Sequence, residues 1–238
     1  MDYKDYLAGN SKTNFWFRAK VDLIEILLQK YIENHSKKLK ILSLGAGTGE
    51  ELYSLNKFGE VYVTDIEKKA LKLIPKDLYK ERKICDACNI SYPDEFFELV
   101  VAFDVFEHIK DDKNAISEVY RVLKKNGFLI FSVPAFQFIY SSHDKAVEHK
   151  RRYSKKDLKS LFKEFKDPYF NYWNFTLFLP LVISRLIKKY YKPKVENPIT
   201  NPIIDSVLYN ILKTENFWFK KKFKTPPGIS IFGVCRKP

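Results

Sequence analysis

The sequence predicts a single α/β domain on a doubly wound, largely parallel sheet, and three observations predict it. Short apolar strand candidates alternate with segments of helical periodicity, the pattern that generates repeated βαβ units. Three of the 8 glycines, Gly45, Gly47 and Gly49, cluster directly after the first strand candidate. The chain has 238 residues, 45% hydrophobic and 30% charged, long enough for one buried core and short for two.

The elements follow in order. From Asn14 to Asn34, Phe17, Val21, Ile24, Leu27, Leu28 and Tyr31 recur at helical spacing, with Ser11 or Thr13 as the expected cap. Lys40–Leu44 is a strand that ends in the glycine turn. Glu50–Lys57 reads as a helix carrying Glu50 and Glu51 in its first turn, where the dipole favours carboxylates. Gly59–Asp65 is a second strand, Lys68–Leu73 a short helix stopped near Pro75, and Arg82–Asp86 a third strand. Phe97–Phe103 is apolar enough to be a strand buried on both faces. Asp112–Lys125 is a helix closed by Asn126-Gly127, Phe128–Val133 a fifth strand, and Ser154 caps a helix to about Phe165. Tyr169–Phe175 and Ile229–Cys235 complete seven strands, with an irregular, helical, Pro-containing insertion between them at about 176–227.

Charge is uneven. Residues 1–145 carry 22 basic and 22 acidic side chains, whereas residues 146–238 carry 20 and 7, the whole of the net +13. A basic C-terminal third fits an anionic substrate, nucleic acid or an acidic membrane surface; a solvated lysine-rich face fits equally well. Three cysteines, an odd number, and an N-terminus without an apolar signal region lead us to expect a reducing, cytoplasmic setting. Cys85-x-x-Cys88 has no second pair at zinc spacing and is read as chance.

The glycine turn lacks the third glycine of G-x-G-x-x-G, since Glu50 stands there, and no Lys-Ser or Lys-Thr completes a P-loop. Asp65 and Asp86 end the second and third strands on the same sheet edge, where a carboxylate accepts hydrogen bonds from ribose hydroxyls. A nucleoside without phosphates and carrying a cationic sulfonium fits this edge. The plain alternative is an ordinary β–α turn with surface aspartates.

These residues resemble the class I S-adenosylmethionine-dependent methyltransferases, of the small-molecule and lipid type. Gly45-Ala46-Gly47-Thr48-Gly49 is similar to their first motif, and Asp65 with Ile66 to the ribose-binding position. Asp86 with Ala87 corresponds to the adenine position, and Phe103 through His108 to the fourth-strand motif. The resemblance covers roughly residues 36–135 and implies a Rossmann-like fold whose last strand is antiparallel, with S-adenosylmethionine as cofactor. Ser43 departs from it, standing where an acid is usual; its hydroxyl is expected to order a water toward the methionine moiety. Asn14–Arg18 is similar to a segment that folds over the cofactor, so Arg18 is expected to pair with the cofactor carboxylate. We read residues 1–238 as one domain: a helical lid at 1–35, a cofactor-binding core at 36–135 and an acceptor side at 136–238.

Acceptor chemistry is expected just after the fifth strand, where His143, Asp144, His149, Arg151, Arg152 and Tyr153 cluster. His149 or His143 is the expected base for a hydroxyl acceptor, with Asp144 orienting the imidazole; a cap or an arginine network is the alternative use. Arg151 and Arg152, with Tyr153 and His108, are expected at the acceptor, or else paired to Glu107 or Asp104. Asp104-x-x-Glu107-His108 resembles the metal-binding E-x-x-E-H of ubiquinone-type O-methyltransferases, with Asp in first position, and no metal ligand is assigned. Leu181–Tyr191 alternates apolar and basic pairs and fits an interfacial helix, a lid over an apolar acceptor, core or a dimer face. The expected reaction is O-methylation of a small or lipid-linked acceptor, with peripheral contact to the inner membrane face. A silent nucleoside-binding scaffold is the alternative, and nucleic acid is disfavoured because no N-P-P-Y-like motif follows the fourth strand.

Overall fold

The computed structural model describes residues 13–32, 38–195, 201–221 and 223–238. Its strands are β1 (Leu39–Leu44), β2 (Gly59–Asp65), β3 (Glu81–Ile84), β4 (Phe97–Phe103), β5 (Leu123–Pro134), β6 (Lys166–Trp173) and β7 (Ser230–Arg236). They form one sheet in the order β3-β2-β1-β4-β5-β7-β6. β1 to β5 pair in parallel, and β7 runs antiparallel to both of its neighbours. The reversal of strand order between β1 and β4 opens a crevice at their carboxyl ends. This is the doubly wound, seven-stranded mixed sheet the sequence predicts.

The helices are α1 (Phe15–Ile32), α2 (Leu52–Leu55), α3 (Lys68–Lys72), α4 (Asp112–Val122), α5 (Ser142–Ala146), α6 (Lys155–Leu161), α7 (Phe178–Ile187) and α8 (Pro202–Lys220). Apolar side chains form a core on each face of the sheet. α1 buries Ala19, Leu23, Ile24, Leu27, Leu28 and Ile32, so Ile24, Leu27 and Leu28 of the expected stripe face the core while Phe17, Val21 and Tyr31 are only half-buried. The insertion's α8 packs against α1. Asn216 joins the two, accepting from the Trp173 indole N–H at 2.9 Å and donating to the Ala19 carbonyl at 2.8 Å.

Boundaries moved for identifiable reasons. Ser11 and Asn34 lie outside the described residues; Asn14 caps α1, accepting from the Trp16 N–H at 2.9 Å, while Asp205 accepts from the Phe15 N–H at 2.7 Å. α4 stops at Val122, and Asn126-Gly127 sits within β5, where the register against β4 shifts between Phe97 and Leu99. Asn126 at φ +63° serves that irregularity rather than a helix end. The predicted helix to Phe165 ends at Leu161 although its Ser154 cap is present. α5, which the sequence reading missed, is only five residues long.

Candidate active site

A cavity of about 880 Å³ opens at the carboxyl edge of the sheet, between the first turns of α1 and the inner face of α7. Its position and size are usual for a ligand site in this architecture.

One wall is made of backbone. Gly45, Gly47 and Gly49 all adopt positive φ, +63°, +54° and +77°, which L side chains resist. A Cβ on Gly45 would lie 2.7 Å from Val105 Cγ2. The Gly47 N–H donates to Asp65 Oδ2 at 2.7 Å, and the Glu67 N–H donates to Oδ1 at 2.7 Å. Asp65 therefore ties the tip of β2 to the glycine turn with its carboxylate on the cavity wall. Ala46, Asp86, Ala87 and Phe103 share that wall, and Ile66 stands at its rim, 72% exposed. Gly49 shapes the turn through its N–H bond to the Ala46 carbonyl and lies outside the lining.

Ser43 behaves differently from expectation. It donates to Glu51 Oε1 at 2.6 Å, and Thr48 donates to Glu50 Oε1 at 2.6 Å. α2 starts only at Leu52, so both carboxylates fold back on the turn instead of standing in a helix's first turn. Position 51 thus delivers to the wall the acid that position 43 lacks. Burial raises the Glu51 carboxyl above its usual range, against the Ser43 hydrogen bond.

Arg18 is a second correction. Its guanidinium pairs with Asp205 at 2.5 Å and stacks over Tyr209 at 4.2 Å, which turns it away from the lining. The cation that α1 brings to the cavity is Lys20, two residues further on and on another face of the helix, bonded to Asp104 Oδ2 at 2.5 Å. Asp104 sits at φ +55°, with Ser132 donating to its Oδ1 at 2.7 Å, so β5 and α1 together hold a backbone conformation that is costly for a non-glycine residue. Burial pushes the Asp104 carboxyl upward, but the charge and hydrogen bond of Lys20 and the Ser132 hydroxyl overcome it and hold the group at about 2.

The opposite wall is built from buried ionic groups. Asp144, fully buried, accepts from His149 Nδ1 at 2.9 Å and from Arg152 Nε at 2.8 Å, while its Oδ2 accepts from the Ser141 N–H at 2.9 Å. Of the two candidate imidazoles, the one it holds is His149. Burial favours the neutral acid, but the His149 hydrogen bond and the Arg152 and Arg185 charges win and hold Asp144 well below the carboxylate range. His143 and His108 also line the cavity. Arg152 lines it too, but is spent on Asp144 and the Ala135 carbonyl. Arg151 pairs with Asp112 at 2.9 Å and the Lys110 carbonyl at 2.7 Å. The Tyr153 hydroxyl bonds Asp112 at 2.8 Å and the Phe106 carbonyl at 3.0 Å. Both residues brace the loop behind the wall rather than the acceptor. Glu107 is completely buried, and neither of its carboxylate oxygens has a hydrogen-bond partner. Burial and then the neighbouring Asp104 charge raise it well above the usual range. α7 closes the cavity with Leu181 and Arg185, whose Nη1 donates to Ser141 Oγ at 3.1 Å. Lys20, Glu51 and Arg185 escaped the sequence reading; only the helical spacing of Arg185 from Leu181 hinted at its role.

Residues 42–131 match the family model described as a methyltransferase domain. That likeness to a methyltransferase domain covers 90 of the 238 residues. The chain's relatives include the ubiquinone/menaquinone biosynthesis C-methyltransferase UbiE of Cupriavidus taiwanensis, 28% identical over 118 residues, covering 46% of this chain and 48% of the relative. The chain thus spans about half the length of the curated relatives it matches. A SAM-dependent methyltransferase from Archaeoglobus fulgidus superposes with a TM-score of 0.58 at 17% identity, over 94% of this chain and 99% of that one. The cyclase SpnF gives a TM-score of 0.61 at 17% identity, over 96% and 85%. At these identities the two structures show the fold alone. The lining is compatible with a nucleoside: a glycine turn with open backbone, Asp65 at the tip of β2, Asp86 two residues beyond β3, and the Glu51 carboxyl beside the turn.

Proposed function

We propose that this chain transfers the methyl group of S-adenosylmethionine to an oxygen of a small or lipid-linked acceptor, working against an anionic membrane surface. The observation that carries the reading is a single cavity with the Asp65–glycine-turn wall on one side and the Asp144–His149 pair on the other. When bound, the cofactor supplies an electrophilic methyl group on sulfur. Asp65 holds its ribose hydroxyls, Asp86 lies toward its base, and Glu51 meets its amino group. Asp144 accepts from His149 Nδ1–H, which leaves Nε2 as the atom that takes the acceptor's proton. Methyl transfer needs orientation above all, and Leu181 and Arg185 of α7 close the acceptor side.

α7 supports the lipid-linked part. Its inner residues face the cavity, yet Leu179, Ile183, Leu186 and Ile187 are exposed, and Lys188, Lys189, Lys192 and Lys194 follow. An apolar face rimmed by lysines suits an anionic interface. No helix among the described residues is long and apolar enough to cross a membrane.

Calorimetry with S-adenosylhomocysteine should give saturable binding, lost in Asp65→Ala. Mass spectrometry of a cell extract incubated with the chain and S-adenosylmethionine should show one metabolite or lipid gaining a methyl group, and His149→Ala should stop that gain while cofactor affinity stays within a few-fold. Cofactor binding without any methylated product would leave a scaffold or another chemistry on this fold. Sedimentation with anionic phospholipid vesicles at low salt, abolished by high salt, tests the surface.

A further inference from the structure

We propose that Glu215 of α8 is a positioning residue for the acceptor side of the cavity: it fixes the hinge from which α7 hangs, and with it the place of Leu181 and Arg185 on the wall. That role rests on the methyl-transfer reading of the cavity.

α8 buries Leu212, Glu215, Asn216 and Phe219. Their spacing of three and four residues makes this a core face, where an apolar side chain is the ordinary choice and a carboxyl is costly unless hydrogen-bonded. Glu215 is 1% exposed, and its oxygens collect donors from the segment between β6 and α7. The Phe175 N–H donates at 3.0 Å, the Thr176 N–H at 3.2 Å and the Thr176 hydroxyl at 2.9 Å. Burial raises the carboxyl above its usual range, against these bonds. The adjacent Asn216 bonds Trp173 and Ala19, so a single turn of α8 grips α1, the end of β6 and the hinge.

The hinge needs holding. Asn174 lies at φ +59°, a left-handed bend that a non-glycine residue keeps only where its surroundings impose it. Its side chain is fully buried, and neither amide atom has a hydrogen-bond partner, which adds to the cost of the bend. α7 has a light grip of its own. None of its 10 residues is fully buried, although Phe178 meets the Phe136 ring at 5.6 Å and Arg185 reaches Ser141. Leu181 and Arg185 stand about one helical turn apart, and both line the cavity. Arg185 lies well beyond Thr176 in the sequence, about 13 Å at the helical rise, so a tilt of about 10° at the hinge displaces it by about 2 Å. A shift of that size takes hydrogen bonds and van der Waals contacts with an acceptor out of range.

The test compares the unaltered chain with Glu215→Gln and Thr176→Val. Gln keeps the size of the side chain but turns N–H groups toward N–H donors. Val removes only the hydroxyl of an exposed residue, so that variant keeps the fold. Backbone amides of 175–187 should exchange hydrogen about 10-fold faster in Glu215→Gln, and by a smaller factor in Thr176→Val, with the sheet unchanged. S-adenosylhomocysteine affinity in calorimetry should stay within a few-fold. Methylated product formed in a dilute cell extract should fall about 10-fold in Glu215→Gln and recover in a concentrated one, the mark of a weakened hold on the acceptor. Unchanged exchange at 175–187, faster exchange throughout the chain, a loosened α7 with full methylation, or a loss of product that concentration does not restore would each overturn the role. If the unaltered chain yields no methylated product, the methyl-transfer reading falls and takes the acceptor role with it, whereas exchange still reports whether Glu215 holds α7.

Discussion

The two walls of the cavity are made of different material. The cofactor wall is main chain and short side chains on consecutive βα turns: three glycines in the left-handed region, with Asp65 accepting from the Gly47 N–H at 2.7 Å. The acceptor wall is a buried ionic cluster whose members come from the segment after β4, α1, α5, α7 and the loop before α6, with Asp144 at its centre. Backbone geometry tolerates little variation in residue type but depends on few distant partners. Buried charges tolerate little removal, because each partner is stranded when another leaves. Damage should therefore be local on the first wall and global on the second.

The largest effect should come from Asp144→Ala. It strands Arg152 in the interior and removes the orientation of His149, so urea unfolding should show a loss of about 3–5 kcal/mol. A loss below about 1 kcal/mol would mean that the cluster is more solvated than its burial indicates. Next comes Asp65→Ala, which removes the acceptor for two backbone N–H groups and for the ribose. Cofactor affinity should fall by about 1.5–3 kcal/mol in calorimetry, with a smaller change in melting temperature.

A pH experiment sharpens the comparison within the acceptor wall. Asp104 titrates at about 2 in the folded chain against an ordinary 3.8. Its contribution to stability is thus present above 3.8 and lost as pH falls through about 2. Asp104→Asn should flatten that part of the acid limb in a denaturation series; an unchanged limb would remove Lys20 from the account. The smallest effect is expected at the outer face of α7. Ile183, 58% exposed, should tolerate Ser within about 0.5 kcal/mol. A larger loss would show that this face is covered in solution by a second copy of the chain.

The same division explains what was legible in the primary structure. All seven strands were found because alternation and apolar runs are local signals. The shared edge of Gly45, Asp65 and Asp86 was legible too, since they follow or end successive strands whose order comes from the topology; all three line the cavity, Asp86 two residues beyond β3. Helix lengths were overestimated at Glu50–Lys57 and Asp112–Lys125. There the backbone was taken over by tertiary demands: Glu51 bonding Ser43, and the β5 edge extending back to Leu123. The residues expected at the acceptor divide by position. His149, His143, His108 and Arg152 line the cavity, whereas Arg151 and Tyr153 brace Asp112 from behind.

By itself the sequence determined the sheet, the glycine turn and the carboxylates at the strand ends, since each depends on spacing along a few neighbouring residues. Only tertiary structure decided which charges meet. Arg18 went to Asp205 and Lys20 to Asp104 because α8 and the end of β4 present those carboxylates to different faces of α1. His149 reached Glu107 because the loop after α5 folds back over the sheet edge. Ion pairing inside a protein is settled by distance and by exclusion of water, and neither is written in the order of residues.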